Sequence, residues 1–377
     1  MHHFDAIRRS VPMNLARQTA SAALAALTLA GTLAVGAATA APQSSTAPAS
    51  LCGSAAPLAG SLSTGSLGTS GSLADPAYLC AKTGDLLDVR IGDVQATQPS
   101  LGYDEVYYKL GRYTRGKDAI NKKFDDWCEA NGQVKAATAT PNASLSDPAS
   151  FTCEVPLGQE TADTIAPMKT VVIGPGGRPY LTDGHHTLTS FYELPDGGPN
   201  LHVRLRVLDN LSGLSTQDFW AEMKQNKWVW DRDVDGNPVP VQNLPKGVGL
   251  ANFADDRYRS LMYFARDIGF TSGTLPFQEF YWGSWVRGAS GIDLSTWNRN
   301  DLTSYLDTVK KVTKAQTALP ADSVVDSGFT ARELGALAQW NDGKAEAKGE
   351  FAKLSKPYSD DKPGKLAYAL EYKNGLK

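Results

Sequence analysis

Residues 169–193 read KTVVIGPGGRPYLTDGHHTLTSFYE, and they carry the strongest structural signal in the chain. Residues 170–173 are a run dominated by β-branched side chains. Pro175-Gly176-Gly177 is a turn by composition, and residues 180–182 resume an extended run. Asp183-Gly184-His185-His186 ends that run. Leu188, Phe191 and Tyr192 then follow at i, i+3 and i+4, the spacing of a helix face. The order is strand, tight turn, strand, polar corner, helix. Such a corner puts two imidazoles and a carboxylate where helix amides lack an intrahelical acceptor and the helix dipole favours an anion.

The residue types at the corner suit phosphate chemistry. Gly184 lets a ligand approach the backbone. His185 falls towards the Leu188 and Tyr192 face, so it is expected to be packed. His186 points about 100° further round and is expected to be the freer ring. The alternative is that Asp183 caps the helix and the histidines are filler. His202 is the only other histidine beyond the N-terminal leader, so a three-histidine zinc site is not expected.

Working outward, residues 201–208 alternate Leu201, Val203, Leu205, Val207, a strand with one covered face. Residues 86–89 read as a first strand. Tyr103, Val106, Tyr107 and Leu110 form a helical stripe, with Lys109 and Arg112 off it. A second helix is expected over 117–130, ended by Asn131-Gly132. Ser215 caps a helix with Phe219, Trp220 and Met223. Residues 228–230 and 238–241 flank a turn at Asp235-Gly236-Asn237, a hairpin pattern; its Asp231, Asp233 and Asp235 also match the opening of a calcium loop, without the closing glutamate. Helices are expected over 255–268, 276–286, 298–319 and 330–351, the last opened by a capping box at Thr330 and Glu333. Arg257, Arg259 and Arg266 interleave with Tyr258, Tyr263 and Phe264. With Trp282 and Trp285, these read first as core and second as a nucleic-acid or sugar-stacking face.

The N-terminus is of another kind. Arg8, Arg9 and Arg17 precede an uncharged apolar run over 20–36, and Ala38-Thr39-Ala40 has the form of a cleavage site. Residues 1–40 are expected to be a signal peptide, placing the protein in the periplasm or outside the cell with no stable membrane insertion after cleavage. Residues 41–81 are a low-complexity linker, 82–290 the main domain, and 291–377 a C-terminal helical region. The four cysteines, Cys52, Cys80, Cys128 and Cys153, are even in number and suit an oxidising compartment. The pairing expected is Cys52–Cys80 and Cys128–Cys153. The chain carries 37 basic and 40 acidic residues, and without residues 1–40 the balance becomes 34 against 39. That composition is not built to coat duplex DNA.

Several pieces together resemble the ParB/sulfiredoxin superfamily, most closely its exported ParB-like nucleases. They are Thr97-Gln98, GYDEVYYKLGRY (102–113), FDDWCEANG (124–132), VVIGPGGRPYLTDGHHTL (171–188), WVW (228–230), DDRYRSLMYFARDIGF (255–270) and EFYWGSWVRG (279–288). The resemblance implies an α/β (α+β) fold: a mixed sheet with surrounding helices, with the C-terminal helices added to it. It implies that the Gly184 loop receives a phosphate or nucleotide and that Gln98 lies beside it. The departures count as well. ParB proteins carry Gly-Glu-Arg-Arg at the loop, and His185, His186 and Thr187 replace the last three here. Sulfiredoxins carry Gly-Cys-His-Arg, and His185 stands at the cysteine, which excludes sulfinic-acid reduction. Free-serine kinases carry Asp-Gly-His-His-Arg; Thr187 replaces the arginine, and Gln98 falls near their catalytic glutamate.

The function expected is a phosphoester hydrolase, nuclease-like, acting on a phosphate-containing small molecule or nucleic acid. His186 would be the general acid or base, and Asp183 its orienter or a metal ligand. His185, Gly184 and Thr187 would hold phosphoryl oxygens, with Gln98 assisting. Lys109, Arg112 and Arg178 would add positive charge, and a divalent Mg or Mn ion would stabilise charge at phosphorus. The alternatives are a non-catalytic phosphate- or nucleotide-binding module and a phosphotransferase like the serine kinases.

Overall fold

The computed structural model of the protein describes residues 76–273, 275–288 and 290–375. The expected leader, most of the linker and Cys52 lie outside the described residues, and the Cys52–Cys80 pairing lies there with them. The elements that position the site are, in chain order, β1 (Leu86–Arg90), α1 (Tyr103–Arg115), α2 (Lys122–Ala130), β2 (Thr170–Gly174), β3 (Arg178–Leu181), α3 (His185–Tyr192) and β4 (His202–Asn210). They continue with α4 (Thr216–Gln225), α5 (Arg257–Ala265), α6 (Gln278–Gly288), α7 (Leu302–Ala318) and α8 (Lys365–Asn374). The fold is α+β.

One four-stranded mixed sheet runs in the order β1-β4-β2-β3. β1 is antiparallel to β4, with Val89 opposite Val203 and Leu87 opposite Leu205. β2 and β3 form an antiparallel hairpin, Val171 opposite Leu181, closed by Pro175-Gly176-Gly177 with Gly176 at φ 74°. β2 and β4 are parallel, so the chain must cross over between them, and α3 lies in that crossover. Every residue of β2 is buried, as expected for a strand covered on both faces. Val171 and Ile173 join Val106 and Leu110 of α1 and Leu188 and Phe191 of α3 in one core. Val172, pointing the other way, packs with Phe219 and Met223 of α4. Each such side chain, fully buried, contributes roughly 1.5–3 kcal/mol relative to exposure.

The remaining helices build a third core. Phe264, Trp282, Tyr305, Val309 and Leu366 meet there. Trp282 is fully buried and its indole N–H donates to the Leu334 carbonyl, while Trp285 is 6% exposed; neither offers a face for stacking. Helix α8 lies against α1 so closely that a Cβ on Gly111 would come within 2.3 Å of the Tyr368 carbonyl oxygen. Asp104, in the first turn of α1 and 1% exposed, receives Arg299 at 2.9 Å, Lys373 at 2.9 Å and the Tyr305 hydroxyl at 3.0 Å. Residues beyond 290 thus complete the core that α1 begins.

Three expectations change. The second helix starts at Lys122 rather than 117, because Asn121 accepts from the Lys123 amide and caps it there. Residues 330–351 do not form one helix. Thr330 and Glu333 do make their reciprocal bonds, but these close a turn; Gly335, Asn341, Asp342 and Gly343 all sit at positive φ and forbid a continuous helix. The hairpin at 228–241 is only a tight turn with one isolated bridge, Arg232 to Pro238. Asp233 Oδ1 there accepts from the amides of Asp235 and Asn237.

A Cys128–Cys153 disulfide ties α2 to the strand Phe151–Cys153, with Cα atoms 5.7 Å apart. Among the described residues no helix is long and apolar enough to cross a membrane.

Candidate functional site

The corner between β3 and α3 is held by backbone geometry. Gly184 is the N-cap of α3 at φ 102°, a conformation that L side chains avoid, and a Cβ there would lie 2.6 Å from Lys169 Cγ. It offers no capping side chain. The amides of His185, His186 and Thr187 have no acceptor among the described residues, so the first turn of α3 presents unpaired N–H groups. Asp183 does not cap the helix. It is exposed, and its carboxylate lies 3.6 Å from Lys169 Nζ.

Both histidines are buried, His185 3% and His186 8% exposed; His186 is not the free ring that its position on the helix suggested. Each ring is held the same way. Thr97 donates its amide to His185 Nε2 at 3.1 Å, and Gly102 donates its amide to His186 Nε2 at 3.0 Å. A ring nitrogen that accepts an amide N–H is unprotonated, so the ring proton of each neutral imidazole sits on Nδ1. Glu105 Oε2 lies 3.7 Å from His186 Nε2, too far to displace the Gly102 amide. Burial pushes the His185 pKa down to about 3, against a small opposing effect of Asp183. Burial, then the charge of Arg259, holds His186 well below the ordinary histidine range. Neither Nδ1 has a hydrogen-bond partner among the described residues.

The corner opens into a cavity of about 720 Å³. Four cations line it, Lys169, Arg206, Arg259 and Arg266, against two carboxylates, Asp183 and Glu279. In a chain of net charge −3 this is a local excess of positive charge. Arg259, on α5, is 5% exposed. Its Nη1 forms an ion pair with Glu105 Oε2 at 2.9 Å that is out of line for a hydrogen bond, so among the described residues Nε and Nη1 have no hydrogen-bond acceptor. Nε of Arg206, also buried, likewise has no hydrogen-bond acceptor among the described residues. Arg266 is bound to Glu279 at 2.5 Å, and Arg266 and Arg259 hold that carboxyl below its usual range although burial opposes them. Phe277, at the start of α6, also lines the cavity. It stands at φ 59°, where a bulky residue is strained by about 1–3 kcal/mol.

The expected site residues are partly gathered. Gly184, His185, His186, Asp183 and Gln98 line the cavity. Gln98 is buried and donates its amide to the Ser100 carbonyl at 2.6 Å. Thr187 lies one step behind, on a separate cavity of about 190 Å³ that Lys109 also lines. Lys109 pairs with Asp126 at 3.1 Å. Arg112 pairs with Asp118 at 2.8 Å and is away from the cavity. Arg178 is exposed in the β2–β3 turn and does not line it. The cations that do line it were not assigned to this corner by sequence. Arg259 and Arg266 are seven residues apart, two helical turns, and that spacing was the available signal.

Among the described residues no three His, Cys, Asp or Glu side chains are placed to hold a metal ion. With Glu279 bound to arginine, the donor set does not fit a divalent cation held by protein alone.

Fold and site together define an α+β protein with a cationic, amide-lined corner at a helix start. The chain belongs to the ParB-like nuclease family: the family model described as "Putative ParB-like nuclease" matches residues 87–288, more than half the chain. The crystal structure of protein Atu1540 from Agrobacterium tumefaciens is 21% identical, with a TM-score of 0.42, covering 62% of this chain and 92% of that one. No curated protein matches.

Proposed function

We propose that the cavity at the start of α3 binds a phosphate ester, and that this recognition is the function of the corner. The observation that carries the reading is the shared wall: Arg259, a guanidinium 5% exposed and ion-paired to Glu105, lines the same cavity as the unpaired amides of α3 and the cations Lys169, Arg206 and Arg266. Buried donors without acceptors are costly unless a ligand supplies them. Phosphoryl oxygens would accept from Arg259, Arg206, the α3 amides and the two Nδ1–H groups.

Hydrolysis is the second reading, favoured by the family. Charge developing on phosphoryl oxygens would meet the same donors. The histidines support it as donors rather than as acid or base, because Nε2 of each is occupied by an amide and Nδ1 already holds the proton. Asp183 sits at the exposed rim and orients neither ring. A Mg or Mn ion would have to arrive coordinated to the ligand's own phosphates. The signal peptide over 1–40 would place this activity in the periplasm or outside the cell.

Calorimetric titration with inorganic phosphate and with a phosphodiester tests the binding reading. Arg259→Lys, which keeps a cation beside Glu105 but removes the guanidinium fork, is expected to weaken phosphate binding at least tenfold. Unchanged affinity in that variant sinks the proposal. Incubation with nucleic acid and Mg or Mn separates the readings: turnover lost in His186→Gln with unchanged ligand affinity would make His186 catalytic.

A further inference from the structure

A second cavity, of about 390 Å³, is walled by the end of α5 and by residues 350–365. The latter wall lies beyond residue 288, outside the family-matched part of the chain. The floor is apolar: Phe264, Ile268 and Leu354 line it and belong to the core that the later helices build. The rim is cationic, with Lys353, Lys356, Lys362 and Lys365 against Asp267 and Glu350. Arg266 also lines it, but is bound to Glu279. Lys353 pairs with Glu350 at 2.6 Å and Lys356 with Asp360 at 3.2 Å. The ammonium groups of Lys362 and Lys365 are not within ion-pair distance of a carboxylate among the described residues, and that of Lys365 stands 5.1 Å over the Tyr263 ring. Backbone bonds fix the rim. Gly364 donates its amide to the Lys356 carbonyl at 3.0 Å, Lys362 donates its amide to Asp360 at 2.8 Å, and Lys117 Nζ donates to the Tyr358 and Asp360 carbonyls. Desolvation first, and then the charge of Arg266, lower the Lys365 pKa; an anion beside it offsets the second effect.

We propose that this cavity is a second binding site, for a small amphiphile with an apolar body and one anionic head, a medium-chain carboxylate in its simplest form. The body lies on Phe264, Ile268 and Leu354, and the head meets Lys362 and Lys365 at the rim. A volume of about 390 Å³ is the size that takes one small organic molecule. The sign of the head follows from charge complementarity: the cations on the wall outnumber the carboxylates in a chain of net charge −3. The stems of the lysines add apolar surface at the mouth while their tips stay charged. An ammonium is a point charge without the fixed fork of a guanidinium, so the site reads the charge of the head rather than its shape. The site stands apart from the phosphate reading, since the α3 corner is built of amides and guanidinium groups and this one of lysines over an apolar floor.

The test titrates the full chain with decanoate below its micellar concentration, with butyrate, which has the same head and little body, and with decylammonium, which has the same body and the opposite head. Decanoate should bind at least tenfold more tightly than butyrate, the gain that about two buried methylenes give, and at least tenfold more tightly than decylammonium. Lys362→Gln with Lys365→Gln should weaken decanoate about fivefold or more. Photolabelling of the unaltered protein with a diazirine-bearing decanoate, followed by peptide mapping, should mark 350–365 or 263–268, whatever the variants do to folding. Excess inorganic phosphate should not displace the label. Equal affinity for decanoate and decylammonium, label confined to the α3 corner, or decanoate affinity unchanged in the double variant overturns the proposal and leaves the phosphate reading untouched. Sedimentation with phosphatidylglycerol vesicles without binding of free decanoate overturns it as well, because the lysines would then face a membrane surface.

Discussion

Two neutral buried histidines should make the protein acid-sensitive well above the carboxylate range. In the unfolded chain His185 titrates near 6.5, and in the folded one its pKa is pushed down to about 3. A depressed pKa means that the unfolded state binds the proton first. The stability is therefore complete above pH 6.5 and drains away as pH falls towards 3. At pH 5 the unfolded chain is favoured by about 1.5 pH units of protonation at this one site, or about 2 kcal/mol. His186 acts in the same direction, with burial again the main cause. For a unit of this size His185 alone lowers the melting temperature by roughly 3 °C. Calorimetric melting between pH 7.5 and 5.0, in a buffer free of phosphate, measures it. Carboxylates with low pKa change little in that window. His185→Gln keeps an acceptor for the Thr97 amide and cannot charge, so its melting temperature should fall less over the same range. A melting temperature flat from pH 7.5 to 5.0, or a His185 ring that titrates near 6.5 by NMR, refutes the tautomer and burial argument together.

Other outcomes follow from single contacts. Gly184→Ala should cost about 1–2 kcal/mol for the left-handed backbone alone, with more from the Cβ placed 2.6 Å from Lys169 Cγ, and urea unfolding reads the loss. Asp104→Ala strips Arg299 and Lys373 of a shared buried partner and should destabilise by roughly 3–5 kcal/mol, seen as a shifted urea midpoint. Reducing Cys128–Cys153 should cost about 2–4 kcal/mol, detected as a lower melting temperature with dithiothreitol.

The sheet and the corner were legible because their signals are local. A β-branched run, a Gly-Gly turn and i, i+3, i+4 spacing each arise within a few residues, and β2, β3 and α3 formed where those patterns stood. The failures were of two physical kinds. The stretch 330–351 has helical spacing, yet left-handed residues interrupt it, and Gly335 is needed where a Cβ would meet the Thr271 carbonyl at 2.5 Å. That constraint comes from a chain segment some sixty residues away and leaves no local mark. The cationic wall failed to show for a related reason. Arg206, Arg259 and Arg266 come from β4 and the α5 region, and only the tertiary fold brings them to Gly184. The fate of each imidazole depended on amides at Thr97 and Gly102, more than eighty residues upstream.

Asp104 and Glu105 are neighbours in sequence that turn to different sides of α1. One fastens Lys373 near the end of the chain; the other stands against Arg259 at the cavity. The tail and the pocket therefore share a single helical turn as their anchor. A protease nick that freed the last dozen residues would take Lys373 from Asp104, leaving it Arg299 and Tyr305, and would loosen the turn that braces Arg259. Ligand affinity would then register damage to a segment that never touches the ligand.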